Sequence, residues 1–443
     1  MADTALAGEV DLSYRRIFWF WIPLAAMWFM MAVEQPLIAA FVARMPEPEI
    51  NLAAYGVVSS VAMIIESPII MLLTAGTALS RGGLSYRRLL RFSHLLIAAL
   101  TALHLLIALT PLYDLILLRV IGVPEELAEL GRGAFLVVTP WTAGVGYRRL
   151  WQGVLIRHHR TGVVPITIAL RLAVTAGLLI LGFSLNRFPG VFVGSVALAG
   201  GITAAAAAAY LFARPVVKNQ LQEPSREVDP LSWPELIRFY VPLALTSLIL
   251  LAARPVLTVA LSRLPAALDS LAVWPVILSV SFLGRSIAMS YQEAVIALLQ
   301  DRRNLWMLQR FARMLGLIML VLFSIFAVTP LAQIWFQRVV GLSARLTRMT
   351  RLPMLVLALL PAIGSFISWQ RGVLVSSRKT PAITRSVVVN LAVLGVILVV
   401  LGYTVRLPGV LIAAVAYIGS VLAEWLYLRL VGAKAQARLL SGE

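Results

Sequence analysis

Apolar runs of about 20 residues alternate with short arginine-rich stretches from Ile17 to Leu430, the pattern of helices that each cross a hydrocarbon layer. In order, the runs are Ile17–Val42, Leu52–Leu79, Phe92–Thr110, Gly133–Ile156, Val163–Phe183 and Val191–Phe212. Six more follow: Phe239–Leu261, Leu271–Leu298, Met314–Val328, Leu352–Val375, Val387–Tyr403 and Val410–Leu430. They predict an all-α integral membrane protein with twelve transmembrane helices. The polar segment Arg214–Trp233 reads as a linker between an N-terminal six-helix bundle, 1–213, and a C-terminal one, 234–443.

The two halves are one unit used twice. An offset of 219 residues carries Pro23 onto Pro242, Pro36 onto Pro255, Arg44 onto Arg263 and Pro46 onto Pro265 without a gap. The same offset carries Thr110–Pro111–Leu112 onto Thr329–Pro330–Leu331, Gly153–Val154–Leu155 onto Gly372–Val373–Leu374, and Arg187 with Pro189–Gly190–Val191 onto Arg406 with Pro408–Gly409–Val410. Six crossings per half is an even number, so both halves enter the bilayer the same way up, as parallel repeats about an axis along its normal.

Composition agrees: 60% hydrophobic residues, 13% charged and a mean hydropathy of +0.90 exclude an ordinary soluble domain. The net charge of +18 would suit nucleic acid, but most of the cations lie between apolar runs, where they set topology. Arg15, Arg16, Arg81, Arg157, Arg160 and Arg378 fall on one side and Arg44, Arg119, Arg187 and Arg406 on the other, so both termini are expected in the cytoplasm of a cell-membrane protein. Residues 338–351, with four arginines on the expected outside, are the exception. With no cysteine, thiolate metal sites and thiol catalysis are excluded. No phosphate-binding glycine loop or hydrolytic triad is present, so neither an enzyme, a cofactor nor a metal site is expected, and the chain is expected to work as a monomer.

Polar residues inside the runs carry the chemistry, because a charge at mid-membrane costs a few kcal/mol unless a partner or cavity receives it. Glu34 and Gln35 lie in the first run and Glu66 in the second; their repeat-mates are Ala253, Arg254 and Arg285. The first half thus reads as acidic and the second as basic at equal depth, and Glu34, Glu66, Arg254 and Arg285 are expected to share a central space. Arg148, Arg149 and Gln152 join them from the fourth run, Gln292 and Glu293 from the eighth and Arg371 from the tenth. Arg148, Arg149 and Arg371 lie nearer the cytoplasmic end, where snorkelling to lipid headgroups is the competing account. Pro36 and Pro255 should each bend their helix beside these charges.

Pro23–Leu24, Glu34–Gln35, Leu52–Gly56, Ser67–Pro68, Gly153 through His158, Arg254–Pro255 and Ser262–Arg263 resemble, in spacing, the progressive ankylosis protein family. That family is similar in architecture to the multidrug/oligosaccharidyl-lipid/polysaccharide (MOP) flippase superfamily, whose MATE-like members expose a central cavity alternately to either side. The resemblance implies export of a small polyanion (pyrophosphate, nucleotide or citrate), with Glu34, Gln35 and Arg254 at matching places. The family's long acidic tail is missing here. Three other functions stay open: a flippase for a lipid-linked diphosphate, favoured by a cavity open sideways between the first and eighth runs; a proton-coupled exporter of cationic drugs; and a structural membrane protein.

Overall fold

A computed structural model describes residues 12–121, 124–221, 230–299, 302–340 and 342–441, leaving aside some helical side chains, among them those of Pro36 and residues 250–256. The described residues form helices and no strand. The first half contains α1 (Tyr14–Val42), α2 (Pro48–Glu66), α3 (Leu72–Leu79), α4 (Gly83–Leu109), α5 (Glu125–Arg157), α6 (Val164–Leu185) and α7 (Gly190–Val216). The second contains α8 (Trp233–Arg263), α9 (Ala267–Leu298), α10 (Arg302–Val328), α11 (Ala344–Leu357), α12 (Leu360–Ser376), α13 (Thr380–Thr404) and α14 (Gly409–Ser441). Local chemistry sets several ends. Ser13 and Ser343 cap α1 and α11 through their side chains, and Ser232 with Glu235 forms a reciprocal capping box at α8, satisfying amides that have no partner within the helix.

Eight helices among the described residues are long and apolar enough to cross a membrane, and a bent pair, 50–66 with 69–79, makes a ninth. The chain is a multi-pass membrane protein. α5, α8 and α9, at 33, 31 and 32 residues, are also long enough to span, at 1.5 Å per residue.

The 219-residue offset recurs in the hydrogen bonds. The Asn51 side chain accepts from the Val191 amide at 2.9 Å, and its repeat-mate Ser270 accepts from the Val410 amide at 3.0 Å. Left-handed residues recur as well: Glu47 and Ala266 precede α2 and α9 with φ of 50° and 55°, and His159 and Arg378 follow α5 and α12 with φ of 58° and 56°. Gly153 and Gly372 mark matching close crossings; a Cβ would stand 2.5 Å from the Leu73 carbonyl oxygen at the first and 2.7 Å from Val295 at the second. The halves engage through their leading helices. The Trp21 indole of α1 donates to Ser290 on α9 at 2.8 Å, and Tyr240 of α8 donates to the Pro68 carbonyl at 2.6 Å.

Three expected boundaries change. Leu52–Leu79 is not one straight helix; it bends by 57° around Ser67–Pro68, because Pro68 has no N–H for the carbonyl of Ile64 and its ring crowds that turn. The arginines at 87, 88 and 91 lie within the first turns of α4, not in a loop before it, and Arg303, Arg310 and Arg313 likewise lie inside α10. The first part of the expected linker is helical: α7 runs through Pro215 and widens into π-turns at Val217–Leu221, while residues 222–229 lie outside the described ones.

Candidate functional site

Helices α1, α2, α5 and α6 converge on a buried polar cluster. On α6, Thr167, Arg171 and Thr175 recur every four residues and so share one face. Arg171 forms a buried ion pair with Glu34 of α1, whose other carboxylate oxygen lies 3.4 Å from the Thr175 hydroxyl. Next to Glu34, the Gln35 side-chain oxygen accepts from Tyr55 of α2 at 3.2 Å. On α5, Arg148 donates to Gln152 at 3.0 Å, and Gln152 donates to the Thr167 hydroxyl at 2.8 Å. Glu66, at the end of α2, feels the charges of Arg171, Arg148 and Arg149, yet its Oε1 has no hydrogen-bond partner.

Arg148 and Arg149 are 1% and 4% exposed, so snorkelling does not describe them; α5 continues for eight residues beyond Arg149 before it ends at Arg157. Arg149 stands 5.4 Å over the Trp28 ring, and its Nε and Nη1 are buried without an acceptor. Among its charged neighbours is Glu293, on α9 of the other half. Glu293 in turn accepts from Thr74 of α3 at 2.9 Å, and these two residues are repeat-mates, 219 positions apart. Gln292 lies half-buried beside Glu293.

A second cluster forms within the C-terminal half. Arg285 of α9 donates to the Tyr417 hydroxyl of α14. Arg371 of α12 pairs with the buried Glu424 of α14, which also accepts from Asn390 of α13 at 2.9 Å. Asn390 is the repeat-mate of Arg171 and Arg371 that of Gln152, so the two clusters are built at equivalent places from different residues.

The expected segregation of charge is therefore corrected. Among the described side chains, the first-half cluster holds three arginines against two glutamates, and the second holds two arginines against Glu424. The cause is lateral pairing: Glu34 and Glu424 are each met by an arginine from a neighbouring helix of their own half, while Glu293 faces Arg149 across the halves, as a low-dielectric interior demands. Glu34 and Glu66 come together, whereas Arg285 sits apart with Tyr417. Arg254 lies in α8, its side chain outside the described ones, as are the side chains of Pro36 and Pro255. Arg171 and Glu424 were missed by the sequence reading. A lone arginine in the apolar run 163–183, with threonines four residues to either side, is the signal that would have found the first. Among the described residues no group of His, Asp or Glu is placed to hold a metal ion.

No protein-family model matches the chain, and no curated protein matches it. Solved structures do. A eukaryotic MATE transporter, AtDTX14, superimposes with a TM-score of 0.73 at 14% identity over 96% of this chain and 98% of its own. The Vibrio cholerae MATE transporter VcmN gives 0.73 at 18% identity over 97% of each chain. A MOP superfamily transporter from Pyrococcus furiosus, described as having a binding pocket of reverse polarity that suggests a different function, gives 0.71 at 14% identity over 96% of each. This chain has the MATE transporter fold. The near-complete coverage in both directions means that the shared fold spans essentially the whole chain.

Proposed function

We propose that this chain is a secondary transporter that exports a small organic or phosphorylated anion by alternating access. In this reading the bundles 1–213 and 234–443, joined by 214–233, each cross the membrane six times and rock about their junction, with both termini cytoplasmic. The narrower resemblance to the progressive ankylosis family belongs to the same proposal. The carrying observation is Arg149: a buried guanidinium that feels Glu293 across the junction of the halves yet keeps two unfilled donor positions. Buried polar groups rarely stay unpaired, and a forked donor set suits carboxylate or phosphate oxygens. The Pyrococcus furiosus neighbour, with its pocket of reverse polarity, supports the view that this fold is not tied to cationic drugs. Glu34 and Glu66 are then the groups that exchange protons or gate, and Arg254 is a further anion contact.

The test is uptake and binding of pyrophosphate, citrate and a nucleotide by the purified protein in proteoliposomes. Arg149→Ala should weaken binding of the transported anion by about one to two powers of ten, the worth of one charged hydrogen bond. Arg149→Lys should recover part of the loss. Glu66→Gln should leave anion binding intact or tighter, since it removes a repelling charge. If Arg149→Ala binds all three anions like the parent while Glu34→Gln abolishes dye export, the protein is a drug exporter instead.

One observation favours a second reading, a flippase for a lipid-linked diphosphate. An almost wholly apolar groove of about 400 Å³ lies between α1, α9 and α10, bounded by Phe18, Phe29, Ile287, Phe311 and Met319. A lipid tail fits such a lining, and the groove touches α1 and, through Ile287, α9, the two helices between which a lateral opening would favour this reading.

A further inference from the structure

A second, larger groove of about 840 Å³ opens on the first half alone, between the start of α4, the last turns of α5 and the end of α7. Its floor is aromatic. Tyr86 and Trp151 are buried with ring centroids 6.2 Å apart, and Trp151 lies 5.3 Å from the exposed ring of Tyr210. Its rim is cationic: Arg87 projects from α4, and Arg214 and Lys218, four residues apart, project from α7 and the π-turns after it. Among the described residues no Asp or Glu lines it. The 219-residue offset gives an internal comparison in sequence: the repeat-mates of these six positions are Leu305, Trp306, Gln370, Arg429, Ala433 and Ala437, a set that keeps neither the three aromatic residues nor the cations at their places.

We propose that this groove binds an acidic phospholipid, with the headgroup phosphate between Arg87, Arg214 and Lys218 and the glycerol and upper acyl chain on Tyr86, Trp151 and Tyr210. The placement has physical sense. Cations at the end of a spanning helix meet headgroups at the water interface, where amphipathic aromatic rings also settle, and basic pockets between spanning helices select anionic lipids. A soluble phosphate would use the cations but gain little from a floor of tilted aromatic rings, whereas a glycerolipid uses both. The site is separate from the buried clusters and does not depend on what is transported.

The full-length protein, purified in detergent, is titrated with phosphatidylglycerol or phosphatidylcholine brominated on the upper acyl chain, and tryptophan quenching is recorded. Trp151→Phe isolates the contribution of Trp151 while keeping an aromatic floor. The expected result is a quenched component, absent in Trp151→Phe, that saturates at roughly tenfold lower content of phosphatidylglycerol than of phosphatidylcholine, since each cation near an acidic headgroup contributes to the preference. Arg214→Gln with Lys218→Gln should erase the preference, and Arg214→Lys should retain it; both rim residues are exposed, so neither change threatens the core. Equal quenching by the two lipids, or a preference that survives the double substitution, overturns the proposal. So does displacement of the lipid by millimolar inorganic pyrophosphate, which would make the groove a site for soluble phosphate.

Discussion

Glu34 and Arg171 are the two residues least able to stand alone. Each is buried, and each ion without the other would face a hydrocarbon-lined interior, where removing one partner of a buried pair costs about 3–5 kcal/mol. Arg171→Met should therefore lower the unfolding temperature of the purified protein sharply. Glu34→Gln with Arg171→Met should recover much of the loss, because two neutral groups carry no uncompensated charge. A thermal-shift series on the two single variants and the double variant measures this coupling, and additive losses would show that the pair is not energetically linked. The same logic explains why the site was only half legible at this scale. Glu34, Glu66, Arg148 and Arg149 declare themselves as charges in apolar runs. Their partners depend on which helices lie side by side: Arg171 is 137 residues from Glu34 in sequence, and no periodicity along either helix points from one to the other.

Among elements, the junction of α3 with α5 is the most constrained. Gly76 and Gly153 meet backbone to backbone, so any side chain at Gly153 enters the Leu73 carbonyl and the Gly76 backbone. Small residues allow such approach, and dispersion replaces the hydrophobic drive that lipid removes. Gly153→Ala should cost roughly 1–3 kcal/mol, the usual range for overpacking, and Gly372→Ala less, since its nearest obstruction is the Val295 side chain rather than backbone. Melting curves in one detergent rank the two, and a Gly372→Ala loss larger than that of Gly153→Ala would contradict the geometry. The paired glycines were visible in the sequence as a repeat, but the reason for them was not. The break at Ser67–Pro68 was also hidden, because proline is common in membrane helices and the apolar run continues across it.

For the whole molecule, the proposed orientation rests on the distribution of arginine. The loop after α5 and the loop after α6 lie at opposite ends of spanning helices, and Arg160 and Arg187 are exposed in them. With no native cysteine, Arg160→Cys and Arg187→Cys each offer a single thiol. Arg187→Cys should react with a membrane-impermeant maleimide on intact cells, and Arg160→Cys only after permeabilisation; the opposite result would invert the topology.

The bond between Thr74 and Glu293 has a consequence for how such a molecule arose. A residue that touches its own counterpart sits where the two copies of the unit turn about each other. In a dimer of identical six-helix chains that position would face itself, and two glutamates there would repel while two threonines would take away the negative charge that faces Arg149. Gene fusion lifts that restriction, because the two copies can then diverge one residue at a time. A hydroxyl donor in one half and a carboxylate acceptor in the other is an arrangement closed to two identical chains.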